Sequence, residues 1–255
     1  MERAIKVLTK YKRNILKYSP QKIRAVATSV VRKAKNKKYF IKKVKDETGI
    51  NVETISQLKE AELTAIGVLK SLNKYHNNNL IIDIGGGSTE LILISNNHKN
   101  NFWGINLGVV HVAEKYLKTN ITTKEQLDLM NTLIKNKLNK VLSKFNNNEF
   151  KSLKMVATAG TPTTLASIIL SKNNFVPADV DGFVIEKYKL NEVYKLIVET
   201  PFCKRSYISG LEKGREDLII PGMIILKTVM DITGINQFVV SVSGLLEGNA
   251  YSLLD

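Results

Sequence analysis

Two carboxylates flank a run of three glycines in the sequence. Asp83 stands just before the segment Gly85-Gly86-Gly87-Ser88-Thr89, called the glycine turn below, and Glu90 follows it directly. Three glycines allow φ > 0 and leave no Cβ to keep a ligand away. Successive N–H groups in such a turn can form a concave anion site, and the Ser and Thr hydroxyls add donors. Because acids beside an anion need a divalent cation or a water between the charges, the segment predicts a phosphate and metal site; a plain hairpin turn is the alternative.

Three other segments place polar residues where a predicted strand leads into a helix. Arg32 lies about one turn after Ala27-Thr28-Ser29, where its guanidinium could bind phosphate oxygens, or it could be a surface residue behind a helix cap. Glu60 lies in the first turn of a later helix, where an acid often only complements the helix dipole. Gly160 and Thr161 begin another helix, whose backbone N–H groups could meet a phosphate or form an ordinary connection.

The bulk composition is that of a globular protein with an excess of positive charge. The chain has 255 residues, 44% hydrophobic and 24% charged, and a net charge of +15. The charge indicates either an acidic partner or a solvated Lys- and Asn-rich surface; because lysines outnumber arginines and do not alternate with aromatics, nucleic acid is not favoured. No apolar run is long enough to cross a membrane, and the charged start is unlike a signal peptide. The single cysteine excludes an internal disulfide, and we expect a cytoplasmic location.

The hydrophobic pattern predicts an α/β chain. The predicted helices are 1–18, 30–47, 59–72, 109–117, 124–145, one running to 170, 190–199, 218–233 and a last one opening at 244–248. The predicted strands are 23–28, 51–56, a hairpin around the glycine turn, 102–107, 154–158 and 237–242. A polar stretch at 74–79 is predicted as a loop and hinge. Three antiparallel strands followed by strand–helix units are the order found in one lobe of an actin-like ATPase.

These loops, in this order, resemble the exopolyphosphatase / guanosine pentaphosphate phosphohydrolase family of the actin-like ATPase superfamily. The matching segments run over nearly the whole chain: Ala27-Thr28-Ser29 with Arg32, Ile55-Ser56 with Glu60-Ala61, residues 82–91, Leu107-Gly108-Val109, residues 158–161, Arg215-Glu216-Asp217 with Pro221-Gly222, and Ser243-Gly244 with Glu247-Gly248. The resemblance implies a two-lobed actin-like ATPase (ribonuclease H-like) fold. Residues 1–78 would form part of the first lobe, and 79–255 would form the second, with a C-terminal helix returning toward the first.

The resemblance also implies roles for individual residues. Glu60 resembles the base that orients and deprotonates the attacking water, and Glu90 resembles its partner in the cleft. Asp83 resembles the ligand of Mg²⁺, the glycine turn a cradle for phosphate oxygens, and Arg32 a phosphate-binding arginine. The implied reaction is hydrolysis of the terminal phosphoanhydride of inorganic polyphosphate, guanosine pentaphosphate or both, and a homodimer is a reasonable expectation.

The sequence departs from the family pattern at its start. An Asp-x-Gly-Ser-Asn-Ser phosphate loop opens family members, and nothing similar precedes residue 27, so the first lobe is expected to be incomplete at its N-terminus. Residues 57–59 also differ from the Gly and acids that the family favours, and Leu246 stands where Arg is common. The alternatives are therefore a non-catalytic nucleotide or polyphosphate binding protein, an inactive N-terminally truncated fragment, or an actin-like kinase.

Overall fold

The computed structural model describes residues 1–72, 78–95, 100–143, 150, 153–172 and 174–254. Within these ranges the chain forms two β-sheets, one of two strands and one of six, surrounded by helices. None of the described helices combines the length and the hydrophobicity that crossing a bilayer would require. The hinge predicted at 74–79 lies mostly outside the described residues.

The small sheet and its helices come from the first part of the chain. Their order is α1 (Glu2–Tyr18), β1 (Ala25–Ala27), α2 (Ser29–Lys33), α3 (Lys37–Thr48) and β2 (Val52–Thr54), and β1 pairs with β2 in parallel. A small core of Ile5, Val44 and Ile50 joins α1 to α3. The prediction of one helix over 30–47 is wrong, because Ala34 takes an extended conformation that ends α2 before α3 begins.

The large sheet has the strand order β5-β4-β3-β6-β8-β7. Its strands are β3 (Asn79–Ile84), β4 (Thr89–Ile94), β5 (Asn101–Ile105), β6 (Lys154–Thr158), β7 (Val184–Glu186) and β8 (Gln237–Ser241). Strands β3 to β5 form the predicted antiparallel set, and β6 and β8 continue the sheet in parallel. The antiparallel edge strand β7 was not predicted, since its three residues are too short for an alternating pattern to stand out.

Helices cover both faces of the large sheet. The larger core lies on one face and includes Ile82, Leu91, Ala157 and Val240. The helices that follow β5 are α5 (Val109–Tyr116), α6 (Lys124–Leu142), α7 (Gly160–Ile169), α8 (Pro177–Val180), α9 (Lys187–Glu199), α10 (Phe202–Arg205), α11 (Ile219–Thr233) and α12 (Leu245–Tyr251). Near-continuous apolar strands such as β4 are typical of a sheet that is buried on both faces.

The opposite face is covered by α4 (Gln57–Ser71), the helix that carries Glu60. Its residues Ala61, Ala65 and Val68 pack on Ile81 and Val156 of the large sheet. The C-terminal helix α12 packs on α4, and after it Arg24 beside β1 donates a hydrogen bond of 2.9 Å to Ser252. Helix α4 therefore joins the small sheet to the large one, and the last helix returns to both. The division of the chain at residue 78 stays a prediction.

Candidate active site

The predicted ligand loops follow the carboxyl ends of parallel strands. Asp83 near the end of β3 stands beside Thr158 at the end of β6, and Thr158 stands beside Ser241 of β8. Loops that leave parallel strands at one edge meet there, which is the usual place of a ligand site in an open α/β sheet. The glycine turn and the Gly160 loop are therefore neighbours.

Glu60 is placed by the first turn of α4. The Ser56 side chain caps this helix by accepting a hydrogen bond of 3.1 Å from the N–H of Lys59. Glu60 is 7% exposed, and its carboxylate accepts a hydrogen bond of 2.9 Å from Nη1 of Arg32. The same Nη1 donates to the carbonyl of Ile55, also at 2.9 Å, so both partners are fixed. The structure thus brings the predicted base and the predicted phosphate-binding arginine into direct contact.

Asp83 and Glu90 lie opposite each other on β3 and β4. Directly opposed residues of an antiparallel pair point to the same face of the sheet, so the two acids share one site. Asp83 Oδ2 accepts a hydrogen bond of 3.1 Å from Thr64 Oγ1, which lies one turn after Glu60 on α4. Glu90 is 1% exposed, and its Oε1 has no hydrogen-bond partner among the described residues. Three acids therefore converge between α4 and the glycine turn.

Burial raises the pKa of two of these acids, Asp83 and Glu90. Desolvation raises the pKa of Asp83 to about 6, with Glu60 adding repulsion and the Thr64 hydrogen bond opposing the rise. Desolvation likewise raises the pKa of Glu90 to about 8, helped by Asp83 and Glu60 and opposed by Ser88 and Arg32. A bound cation would favour the ionised form of both acids and so lower these pKa values.

The glycines of the glycine turn allow other parts of the protein to pack closely against it. None of the three glycines has φ > 0, so the turn does not use the backbone freedom that glycine allows. Close approach explains them instead, because a Cβ on Gly87 would lie 2.7 Å from Ser29 Oγ and one on Gly86 would lie 3.2 Å from Val110. The N–H groups of Val109 and Val110 donate to the carbonyls of Gly85 and Gly86, which holds α5 against the turn.

The two hydroxyl residues of the turn differ in their surroundings. Ser88 lines a cleft of about 640 Å³ together with the glycines, Ser29 and Glu60. Thr89 is fully buried, and its hydroxyl donates a hydrogen bond of 2.6 Å to the carbonyl of Leu107. Both residues were predicted to bind phosphate. The hydroxyl of Thr89 instead links β4 to the loop before α5, whereas Ser88 lines the cleft.

Gly160 and Thr161 line a second cavity of about 180 Å³ that also reaches Gly85 and Gly86. The Arg215 guanidinium lies directly on Gly160, where a Cβ would come within 1.9 Å of Nη1. Ala159, just before α7, holds a strained φ of 73°. The two predicted phosphate loops therefore border one another, with an arginine on the second.

The sequence of the whole chain matches a known family of proteins. A family model described as the Ppx/GppA phosphatase family matches residues 1–255. The chain belongs to the Ppx/GppA phosphatase family. It is 34% identical over 256 residues to a bifunctional 3-dehydroquinate synthase/phosphatase of Fusobacterium nucleatum, covering 97% of this chain and 37% of that protein. It is 26% identical over 255 residues to exopolyphosphatase 2 of Mycobacterium tuberculosis, covering 96% of this chain and 79% of that protein.

A solved family member confirms the fold. The crystal structure of the Aquifex aeolicus member of the Ppx/GppA protein family superposes with a TM-score of 0.83 at 29% identity, covering 99% of this chain and 80% of that one. The actin-like ATPase fold expected from the resemblance is therefore confirmed. This chain corresponds to less than half of the Fusobacterium nucleatum protein and about four fifths of the other two.

Sequence reasoning missed three residues of this Ppx/GppA site. Ser29 is 5% exposed, and its buried Oγ has no partner among the described residues. Thr64 supports Asp83, and Arg215 covers Gly160. Thr64 could have been found, because a residue four positions after Glu60 lies on the same face of a helix. Arg215 belongs to a segment that matches the family, but neither it nor Ser29 has local spacing that singles it out.

The acids fit a magnesium ion better than a metal held only by protein. Among the residues that the structure describes, no three His, Cys, Asp or Glu side chains form a group able to hold a metal. Mg²⁺ does not need such a cage, since it commonly binds one or two carboxylates and completes its shell with waters and substrate phosphates. Such an ion would give the Glu90 Oε1 atom a partner. It would also favour the ionised form of Asp83, whose raised pKa otherwise favours the protonated form.

Proposed function

We propose that this protein is a Mg²⁺-dependent exopolyphosphatase-type phosphohydrolase. Its substrates would be molecules that end in a phosphoanhydride, namely inorganic polyphosphate, guanosine pentaphosphate or both. The convergence of Glu60, Asp83 and Glu90 beside the glycine turn carries the proposal, because it joins acids for water and metal to a place for phosphate. Membership of a phosphatase family and the similarity to an exopolyphosphatase support it.

Glu60 acts as the base in this proposal. A water oxygen attacks the terminal phosphorus, and the proton of that water passes to the Glu60 carboxylate. The bond from phosphorus to the bridging oxygen breaks, and its electron pair leaves with the shortened chain. Arg32 holds Glu60 in place, and its buried Nη2, which has no partner among the described residues, is a donor for a phosphate oxygen.

Asp83 and Glu90 would hold Mg²⁺ against the substrate. When bound, the ion neutralises charge on the phosphate oxygens, which is the main need of phosphoryl transfer. Thr64 fixes the orientation of Asp83 through its hydroxyl. Ser88 and the N–H groups of Gly86 and Gly87 would face the terminal phosphate from the floor of the cleft, while the N–H of Gly85 donates to the carbonyl of Ser88 and closes the turn.

The decisive test is Glu60→Gln, with Glu62→Gln as its matched control. Glu62 lies on the same helix but is only half-buried, and it pairs with Lys59 at 3.2 Å. Loss of the base should lower phosphate release by about 10³-fold, while the control stays within about twofold. Equilibrium binding of polyphosphate by Glu60→Gln should remain within a few-fold of wild type.

Two results would overturn the proposal. If Glu60→Gln releases phosphate at the wild-type rate, Glu60 is not the base. If the wild-type protein binds polyphosphate and guanosine pentaphosphate but releases no phosphate from either in the presence of Mg²⁺, the non-catalytic binding protein is the better description.

A further inference from the structure

One arginine of this protein is buried without forming an ion pair. Arg205, the last residue of α10, is 1% exposed. Within the described part of the chain no carboxylate pairs with it, and Asp217 influences its charge from beyond ion-pair distance. Its guanidinium donates instead to four oxygen atoms of the protein. Because burying a charge costs free energy unless hydrogen bonds replace the lost water, such an arginine is expected where several segments have to be held together.

Two of the four hydrogen bonds complete the C-terminal end of α9. The Nε atom of Arg205 donates to the carbonyl oxygens of Ile197 and Thr200, at 3.1 and 3.0 Å. Pro201 follows this helix and has no N–H to give to the carbonyl of Ile197, four residues earlier. Arg205 therefore replaces a missing backbone donor, and its charge complements the negative end of the helix dipole.

The other two hydrogen bonds reach neighbouring loops. The Nη2 atom of Arg205 donates to Thr122 Oγ1 at 2.7 Å, in the connection between α5 and α6. The Nη1 atom donates at 3.0 Å to the carbonyl of Glu216, which belongs to residues 212–217, called the Arg215 loop below. Among the described residues, the other hydrogen bonds of this loop stay within it or run to the start of α11. Arg205 is therefore the residue that attaches the Arg215 loop to α9.

The Arg215 loop carries a side chain that reaches the smaller cavity. The Arg215 guanidinium lies on Gly160 and lines the cavity of about 180 Å³ that borders the glycine turn. Within the loop, its Nε atom pairs with Glu212. The position of this guanidinium therefore depends on two contacts: Glu212 orients the side chain, and Arg205 fixes the loop that carries it.

We propose that Arg205 is a positioning residue that holds Arg215 over Gly160, where Arg215 binds a phosphate of the substrate. This proposal rests on the proposed function and adds to it a residue that is not among the described lining residues of either cavity. A lysine does not suit the role, since an ammonium donates from a single atom. A guanidinium has five N–H donors in a fixed plane, so it can bind the carbonyls of α9 and that of Glu216 together.

The test compares Arg205→Lys with Thr122→Val. The lysine keeps a positive charge at the end of α9 but gives up the bond to Glu216, whereas the valine removes another bond of the same guanidinium and leaves the Arg215 loop attached. Phosphate release is measured with tripolyphosphate. We expect Arg205→Lys to raise KM about five- to tenfold with kcat within about twofold, and Thr122→Val to leave both within about twofold. If KM instead follows the loss of stability in urea equally in both variants, Arg205 is only structural and the proposal is overturned.

A double variant shows whether Arg205 acts through Arg215. In Arg205→Lys/Arg215→Ala, KM should stay within about twofold of its value in Arg215→Ala alone, because the side chain to be positioned is gone. Multiplication of the two single effects would overturn the proposal, and so would an unchanged KM in Arg205→Lys.

Binding without turnover separates this proposal from the catalytic one. Tripolyphosphate is titrated into wild type and the variants without Mg²⁺, and Arg205→Lys should bind it about five- to tenfold more weakly. If wild type releases no phosphate but this difference in binding persists, the positioning role stands and the hydrolase assignment fails. If wild type releases phosphate but all variants bind alike, the positioning role alone fails.

A second variant covers the case in which Arg205→Lys does not fold. An ester in place of the peptide bond between Glu216 and Asp217 weakens the Glu216 carbonyl as an acceptor and keeps every side chain. KM for tripolyphosphate should then rise about two- to fivefold with little change in kcat, and an unchanged KM would overturn the proposal.

Discussion

Two cavities meet at Gly85 and Gly86, and their linings differ in charge. The larger one, of about 640 Å³, contains Glu60 and adjoins the half-buried Asp83 and the buried Glu90. The smaller one, of about 180 Å³, is lined by Arg215, by the start of α7 and by apolar residues of α5 and α11, with no carboxylate among its described lining residues.

The difference separates two tasks that a phosphate-processing site must perform. Acids can hold a cation and a nucleophilic water, but they repel a phosphate unless that cation is present. Arg215 can bind an anion directly, without a metal, although its Nε also pairs with the exposed Glu212 outside the cavity lining. We infer that chemistry belongs to the Glu60 cavity and that the Arg215 cavity contributes binding alone.

Removing the arginine of each cavity tests whether the two cavities perform different tasks. Arg32→Ala leaves the buried Glu60 without its partner and takes a donor from the transferred phosphate, so kcat should fall by about 100-fold. Arg215→Ala should mainly raise KM, by about tenfold, with kcat within about threefold. Steady-state phosphate release from tripolyphosphate measures both, and Lys213→Ala, an exposed cation on the Arg215 loop, is the control. A loss of kcat in Arg215→Ala as deep as in Arg32→Ala would place both cavities in the chemical step.

The pH dependence of the free energy of unfolding tests whether the acids beside the larger cavity are protonated when no cation is bound. Because the pKa of Glu90 rises from 4.5 to about 8 on folding, the folded protein keeps a proton that the unfolded chain releases. The free energy of unfolding in EDTA should therefore be highest below about pH 4.5 and fall as pH rises toward 8, by on the order of 2 kcal/mol. Glu90→Gln should flatten this fall, while Glu62→Gln, at a half-buried position, should not. Urea unfolding at several pH values measures it, and equal slopes for wild type and Glu90→Gln would contradict it.

Much of the fold could be predicted because its signals are local. The antiparallel set β3 to β5 and the strand–helix order after it follow from apolar strands and the turn between them. The break between α2 and α3 could not be predicted, since Ala34 favours helix by propensity and only the surrounding structure holds it extended. The packing of α4 on the large sheet could not be predicted either, because the apolar face of a helix does not indicate which sheet it contacts.

The site was predictable to the extent that its residues have local patterns. The glycines beside them make Asp83 and Glu90 candidate site residues. Glu60 and Arg32 became candidates only because the loops, taken in order, resemble those of the family. The reason for the glycines was misjudged, because the approach of Ser29 to Gly87 depends on tertiary structure and leaves no mark in the local sequence. Arg215 reaches Gly160 from a loop about fifty residues away, which no spacing rule connects.

Thr64→Val should have the smallest effect. It tests whether the hydrogen bond from Thr64 to Asp83 matters only for the cavity that contains Glu60. The substitution keeps the shape of this fully buried residue but removes the 3.1 Å hydrogen bond to Asp83. One such bond contributes about 1 kcal/mol, so kcat/KM should fall by roughly three- to tenfold, and more Mg²⁺ should be needed for half-maximal phosphate release. Thr64→Ser, which keeps the hydroxyl, should stay close to wild type. Since Thr64 does not line the Arg215 cavity, polyphosphate binding measured without Mg²⁺ should not change; a change there would mean that the two cavities respond to each other.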